Sequence, residues 1–190
     1  MSRPFHIIAG EAKGRRLRGP QGTLARPATG LVRGAIFSML EALGAELSSV
    51  LDLYAGTGSL GIEALSRGAQ RVLFVEQSAR SCAVIRENLE RTGYAAQGQV
   101  RQVPVRRALK TLKEGPFSLV FMDPPFAASE APEALRELAV SPLVGPASTI
   151  MVRHFRRLAL EERVGPFTRV RQRRHGDSVI AIYRWPGAGE

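Results

Sequence analysis

From residue 50 onward, predicted strands and helices alternate along the chain, and this alternation restricts the fold more than any other feature. The predicted strands are residues 49–55, 71–76, 99–105, 117–123 and 148–155. The predicted helices between them are residues 59–68, 78–93, 106–115 and 131–140. Because strands that are connected through helices lie parallel in one sheet, the sequence predicts an α/β fold with a doubly wound, mostly parallel sheet.

The C-terminal part departs from this alternation. Segments 167–174 and 178–185 are both strand-like, and His175-Gly176-Asp177 joins them. A short glycine-containing connection between two such segments is typical of a hairpin. We therefore predict that the sheet ends in an antiparallel hairpin.

The N-terminal part is also different. Segments 5–9 and 15–18 flank a glycine-containing turn and predict a small β-hairpin. Thr29 is placed to cap a helix that Gly44 ends. We therefore predict two units. The first is a basic hairpin and loop at residues 1–28, and the second is a domain at residues 29–190, with a helix at 29–44 and its core from residue 48.

Arginine gives the chain a strongly basic character. Lysine and arginine number 27 against 17 aspartate and glutamate residues, for a net charge of +10. The arginines concentrate at residues 13–19, 153–157 and 169–174. Because a guanidinium group suits phosphate, this pattern favours a nucleic acid partner. The alternative is a basic surface that contacts only solvent.

Composition also bears on location. Cys82 is the one cysteine, so no intrachain disulfide can form, and a cytoplasmic location is expected. The sequence shows no stretch long enough to cross a membrane and no signal-peptide pattern. Cys82 shares a predicted helix face with Ile85 and Leu89, so we expect it to pack in the core.

A glycine-rich loop follows the first predicted strand. Gly56, Gly58 and Gly61 form the pattern Gly-x-Gly-x-x-Gly between a strand and a helix. Glu76 ends the next strand, where a carboxylate can accept ribose hydroxyl groups. Asp52 lies just before the loop, and a carboxylate there suits a cationic amino acid better than a pyrophosphate. The sequence therefore favours S-adenosylmethionine over a dinucleotide, with Asp52 binding the amino-acid end directly or through water, or else bonding the loop itself.

The fourth predicted strand ends in Asp123-Pro124-Pro125-Phe126. Prolines lack an N–H group, so this turn offers acceptors but few donors. The Asp123 carboxylate and the Pro124 carbonyl can both accept hydrogen bonds from an exocyclic amine, while Phe126 can stack on its base. The alternative is that Asp123 caps a turn and Phe126 packs in the core.

With these residues in hand, the chain resembles the RsmD family of bacterial 16S rRNA (guanine-N2)-methyltransferases over nearly its whole length. The resemblance rests on "HIIAGEAKGRRLRGP", "RPATGLVRGAIFSML", "LDLYAGTGSLGIEALSRGA", "VEQSARSCAVIRENLERTG" and "DPPF". It implies a class I methyltransferase (Rossmann-like) fold and S-adenosylmethionine as cofactor. It further implies that the substrate is guanine 966 of 16S rRNA, methylated on N2 in the small ribosomal subunit or its assembly intermediate.

The predicted site residues form three groups. The catalytic group is Asp123, Pro124, Pro125 and Phe126. The cofactor-binding group is Asp52, Tyr54, Ala55, Gly56, Thr57, Gly58, Glu76, Gln77 and Asp123. The RNA-binding group is Arg15, Arg16, Arg18, Thr29, Arg33 and Arg153. We predict no metal site, and a monomer.

Three alternative functions remain at this point. "DPPF" suits an adenine-N6 methyltransferase acting on DNA or RNA equally well. An RNA-binding protein without activity and a nicotinamide-dependent oxidoreductase are the others, although the sequence offers no evident hydride-transfer residue. The chain also departs from the family's usual pattern, because Arg106 and Arg107 stand where an acid usually meets the adenine, and Gly34 replaces a usual acid.

Overall fold

The computed structural model describes residues 5–19, 28–125 and 130–187. The strands are Ser49–Leu53 (β1), Arg71–Glu76 (β2), Gly98–Gln102 (β3), Leu119–Met122 (β4), Thr149–Phe155 (β5), Arg163–Val164 (β6), Phe167–His175 (β7) and Ser178–Arg184 (β8). The helices are Gly30–Ala42 (α1), Ser59–Ser66 (α2), Ala79–Thr92 (α3), Val105–Thr111 (α4) and Ala131–Ala139 (α5).

In the described residues the strands form one sheet in the order β3-β2-β1-β4-β5-β8-β7-β6. The first five strands are parallel, and β8, β7 and β6 continue the sheet antiparallel. The predicted fold class is confirmed. The strand order reverses between β1 and β4, and the crevice outside the carboxyl ends of the strands at such a switch point is where open α/β sheets bind ligands.

Each face of the sheet is covered by a separate apolar core. On one face, Phe74, Phe121 and Met151 pack with buried residues of α1, α2 and α3. On the other face, Val120 and Val152 pack with buried residues of α4 and α5. Strands covered on both faces read as continuous apolar runs, which is why β4 is "LVFM".

Local signals set the helix ends closely. Ser78 caps α3 by accepting from the Ser81 N–H, and Gly93 ends it in the left-handed conformation. Thr29 caps α1 in the same way. The first strand ends earlier than predicted, because Tyr54 turns the chain with a φ of 60°. Two-residue β6 was not predicted, since so short a segment carries no periodic signal.

The N-terminal hairpin (residues 5–18) has few backbone hydrogen bonds between its two arms. A single bridge joins His6 and Arg16, and the Ile7 N–H donates to the Arg15 carbonyl at 3.0 Å. Gly10, with a φ of +85°, lies against α2 so closely that a Cβ atom there would be 1.8 Å from the Ser66 carbonyl oxygen. Only glycine fits that approach.

Glu63 of α2 anchors this hairpin. Its buried carboxylate accepts from the N–H groups of Ile8 at 2.9 Å and Ala9 at 3.0 Å. The Ser66 hydroxyl accepts from the Ala12 N–H at 3.0 Å. The hairpin is therefore fixed to α2 by specific hydrogen bonds. The division of the chain at residue 28 remains a prediction.

None of the helices in the described part of the chain has the length and apolar character needed to cross a membrane.

Candidate active site

The glycine-rich loop connects β1 to α2 at the switch point. Tyr54 is the non-glycine residue with a positive φ among those described, and strain of this kind concentrates at functional sites. The Ala55 N–H donates to the Val75 carbonyl, and the Gly58 N–H donates to the Ala55 carbonyl at 2.7 Å. The loop is thus held against the end of β2.

Glu76 fixes the far side of this loop. Its carboxylate accepts from the Gly56 N–H at 2.9 Å and from the Ser78 N–H at 2.8 Å. Each carboxylate oxygen can accept a further bond, so Glu76 retains capacity for ribose hydroxyls. Gln77 follows it and is exposed. The predicted ribose acceptor therefore lies beside the loop.

Asp52 lies buried near the end of β1. The residue is 1% exposed, and its Oδ2 accepts from the Gly61 N–H at 3.0 Å. Burial, together with the charges of Asp123 and Glu76, raises the pKa of Asp52 to about 8 against the lowering effect of the Gly61 hydrogen bond. Asp52 therefore bonds the backbone of α2 from its position inside β1, and its role toward the amino-acid end of the cofactor stays a prediction.

Gly61 explains why this helix lies so near the strand. A Cβ atom there would be 2.3 Å from the Phe74 ring, so only glycine allows α2 to approach β2 this closely. The same approach brings the Gly61 N–H within reach of Asp52. The third glycine of the motif therefore serves packing.

The Asp123-Pro124-Pro125 turn follows β4 at the same edge of the sheet. Met122 pairs with Leu53 of β1, so Asp123 comes directly beside the start of the glycine-rich loop. The Asp123 side chain is 12% exposed, Pro124 is buried and Pro125 is exposed. Phe126, the predicted stacking residue, lies outside the described residues.

Arg153 of β5 pairs with Asp123. Its Nε donates to Asp123 Oδ1 at 2.6 Å, and the residue is 6% exposed. Burial raises the pKa of Asp123, while the charge and hydrogen bond of Arg153 lower it. The guanidinium of Arg153 is thus buried against the carboxylate of the neighbouring strand, and its predicted contact with RNA stays a prediction.

Three arginines of the predicted RNA-binding group lie on the N-terminal hairpin. Arg15, Arg16 and Arg18 are all exposed. Arg15 donates to the Thr92 carbonyl at 2.8 Å, and Arg18 pairs with Glu87 of α3. These two partners hold the guanidinium groups of Arg15 and Arg18 against α3.

Thr29 and Arg33 lie on α1. Thr29 is exposed at the N-terminus of the helix. Arg33 is only 1% exposed and donates to the carbonyls of Ala28 at 2.9 Å and His6 at 2.6 Å. Its guanidinium also lies over the Phe5 ring at 4.8 Å. Arg33 therefore joins α1 to the hairpin, and its predicted RNA contact stays a prediction.

Comparison with known proteins decides the family. A family model described as "Conserved hypothetical protein 95" matches residues 5–184. "Putative rRNA methyltransferase YlbH" of Bacillus subtilis (strain 168) is 32% identical over 185 residues, covering 96% of this chain and 100% of that protein. "Ribosomal RNA small subunit methyltransferase D" of Haemophilus influenzae is 34% identical over 148 residues, covering 77% of this chain and 76% of that protein. The chain belongs to the RsmD family.

Solved structures agree on the fold of this RsmD-family protein. "Putative methyltransferase yhhF from Escherichia coli" superposes with a TM-score of 0.83 at 28% identity, covering 96% of this chain and 98% of that one. The fold is therefore that of a class I methyltransferase, and the predicted family and fold are both confirmed. The methyl donor of such an enzyme is S-adenosylmethionine.

The charges at the switch point fit that donor. Asp52, Glu76 and Asp123 are close enough for the charges of the last two to raise the pKa of the first. The negative charges of Glu76 and Asp123 favour a cation and disfavour a pyrophosphate, and S-adenosylmethionine carries a sulfonium and an ammonium group. Glu76 and the backbone of the loop are the groups that would hold it. The described residues contain no group of acids, histidines or cysteines suited to a metal ion.

Arg106 of this RsmD-family protein pairs with acidic residues of α5. It forms ion pairs with Glu133 and Glu137 of α5, at 2.7 and 2.5 Å. Arg106 therefore connects α4 to α5, the two helices that cover the same face of the sheet. Arg107 is exposed.

Asn88 is a site residue that our sequence reasoning missed. It is fully buried in α3, and its Nδ2 donates to the Thr57 carbonyl at 3.0 Å and the Arg18 carbonyl at 3.1 Å. Its Oδ1 accepts from the Arg18 N–H at 2.7 Å. One amide thus joins the glycine-rich loop to the hairpin. The sequence does contain a signal for this role, because Asn88 follows Ile85 by three residues and so places a polar amide on the apolar face of α3.

Proposed function

We propose that this protein is an S-adenosylmethionine-dependent methyltransferase that methylates the exocyclic N2 of a guanine in small-subunit rRNA. The observation that carries the proposal is the Asp123-Pro124-Pro125 turn, at the carboxyl end of β4 and beside the glycine-rich loop. By resemblance, the target is guanine 966 of 16S rRNA.

The turn explains the choice of an exocyclic amine. Such an amine is a poor nucleophile because its lone pair is delocalised into the ring. The Asp123 carboxylate accepts one N–H bond and the Pro124 carbonyl accepts the other, which orients the lone pair away from the ring. Neither proline offers a competing donor.

S-adenosylmethionine supplies an electrophilic methyl group on its sulfonium. The contribution of the chain is position: Glu76 and the glycine-rich loop hold one reactant, and the Asp123-Pro124 acceptors hold the other. Alignment of two reactants lowers a barrier by about 7–11 kcal/mol in favourable cases. We assign no strong base, because the amine becomes acidic once it is methylated.

Two observations support rRNA as the substrate. Relatives at 32% and 34% identity carry names that state rRNA methylation. The exposed arginines of the N-terminal hairpin provide phosphate-binding groups near the glycine-rich loop, to which Asn88 joins them. We further propose a monomeric, cytoplasmic enzyme that acts on the small subunit or an assembly intermediate.

The test is mass spectrometry of nucleosides from 16S rRNA of cells with and without the gene. We expect N2-methylguanosine at one site to disappear without the gene and to return with the wild-type protein. The Asp123→Ala variant should not restore it. Loss of N6-methyladenosine instead, or methyl transfer to duplex DNA alone, would show that the amine is adenine N6 and overturn the guanine assignment.

A further inference from the structure

The second half of β7 presents arginines that the site described above does not use. Residues 170–174 are exposed, and beyond Arg169, whose N–H donates to the Glu162 carbonyl, the described part of the chain pairs β7 with β8 alone. We call Arg171 and Arg173 the β7 arginine row. Within the described residues, neither one forms an ion pair with a carboxylate.

The register of β7 shows which face of the sheet carries this row. Arg171 lies opposite Ile182 and Arg173 lies opposite Ile180. Residues that face each other across antiparallel strands place their side chains on the same face. Both isoleucines belong to the core under α1, so the β7 arginine row lies on the α1 face.

The same register connects the row to the active site. Ile180 lies opposite Arg153 on β5, and Arg153 bonds Asp123 at the end of β4. Asp123, Arg153, Ile180 and Arg173 therefore follow one line across four neighbouring strands. With strands about 4.8 Å apart, Arg173 lies roughly 14 Å from Asp123 along that line.

Helix α1 runs from one edge of the sheet toward the other. Arg184, at the end of β8, donates to the Leu43 carbonyl just after α1, so the C-terminus of the helix lies at the opposite edge of the sheet. The N-terminus of α1, with exposed Thr29, consequently lies toward the edge that carries Asp123.

The N-terminal hairpin lies on the other side of the site. Its Arg15 and Arg18 bond to α3, which connects β2 and β3. The sheet order puts β2 and β3 on one side of the switch point, with β5, β8 and β7 on the other. Exposed arginines therefore flank the active site on both sides.

We propose that the β7 arginine row binds the phosphate backbone of the substrate RNA, on the opposite side of the active site from the N-terminal hairpin. The proposal rests on the proposed function and extends it. Two arginines two positions apart on a strand are about 7 Å from each other, which suits an extended chain of phosphates rather than one enclosed anion. Arginine forks bind phosphate with paired hydrogen bonds. The RNA would then lie across the sheet edge, with the target base between its two contacts.

The test compares the double variant Arg171→Gln/Arg173→Gln with the wild-type protein. Affinity for a small-subunit rRNA fragment is measured at several salt concentrations. The slope of log affinity against log salt should fall by about 1 for each lost phosphate contact, so by about 2. The KM for RNA should rise, while kcat at saturating RNA and the affinity for S-adenosylmethionine stay at wild-type values.

A matched control removes the same charge elsewhere. Arg101 and Arg136 are exposed and pair with Glu114 and Glu161. The control Arg101→Gln/Arg136→Gln should keep the wild-type salt slope. If both double variants give the same slope, the β7 arginine row does not bind RNA. This binding assay needs no turnover, so absence of N2-methylguanosine with wild-type protein would refute the proposed function separately.

Discussion

The attachment of the N-terminal hairpin to α2 gives the sharpest prediction for stability and function together. Glu63 is buried, with 1% of its side chain exposed, and its carboxylate accepts from Ile8, Ala9 and Arg67. The substitution Glu63→Gln keeps the shape of the side chain and replaces one acceptor oxygen with an NH₂ donor. That donor must then face an N–H group of the hairpin or of Arg67.

The magnitude follows from the bonds that are lost. A hydrogen bond to a charged group contributes about 1.5–3 kcal/mol, and a buried donor left without a partner costs about 1–3 kcal/mol. Because the remaining oxygen can still accept from part of the network, we expect the free energy of unfolding to fall by about 2–5 kcal/mol. That is a large part of the roughly 5–15 kcal/mol that stabilises a typical protein.

Two measurements check this prediction. Urea unfolding gives the change in stability, and hydrogen exchange should show lost protection at the amides of Ile8 and Ala9. Because the hairpin carries the arginines proposed to bind phosphate, RNA affinity should fall as well, while S-adenosylmethionine affinity stays close to that of the wild type. A loss of cofactor binding equal to the loss of RNA binding would contradict a local effect.

Glu41→Gln is the matched control. Glu41 pairs with the same Arg67, but 64% of its side chain is exposed. Exposed pairs contribute about 0–1 kcal/mol, so this variant should be nearly as stable as the wild type. If Glu63→Gln and Glu41→Gln have the same small effect, the buried carboxylate does not anchor the hairpin and the reasoning is refuted.

Three further predictions concern the carboxylates at the switch point. Asp123→Ala should abolish methyl transfer and leave S-adenosylmethionine affinity largely unchanged by calorimetry; unchanged turnover would disprove the acceptor role. Arg153→Met should raise the pKa of Asp123 further, since Arg153 lowers it, and so move the acidic limb of the pH–rate profile upward, with Arg153→Lys in between. A profile that does not move would exclude this role for Arg153. Asp52, with its pKa raised to about 8, keeps a proton in the folded state that it loses near pH 4 when unfolded. Stability should therefore fall as pH rises across that window, by at most about 1.4 kcal/mol per pH unit, and urea titrations of Asp52→Asn should show a flatter dependence; equal slopes would contradict the assigned pKa.

Much of the fold was predictable because its signals are local. The ends of α3 follow from Ser78 and Gly93, whose preferences need no tertiary information. The sequence shows equally clearly the apolar runs that form the parallel strands and the proline turn that follows β4. Each of these signals lies within a few neighbouring residues, so the sequence shows it without knowledge of the tertiary structure.

The roles of single charged residues were less predictable. Basic residues are usually exposed, yet Arg33 and Arg153 are both buried against partners distant in sequence. Asp52 bonds Gly61, which comes within reach only because α2 packs closely on β2. Sequence pattern identifies a charge, whereas the packing of neighbouring elements determines what that charge contacts.

The pairing of Arg153 with Asp123 means that folding, rather than substrate, sets the direction of the carboxylate. A side chain already oriented by its neighbour loses little rotational freedom when a ligand arrives, and its surroundings need not rearrange at that moment. The orientation of Asp123 therefore depends on the residue at position 153. A neutral residue at 153 would leave a buried acid that resists ionisation.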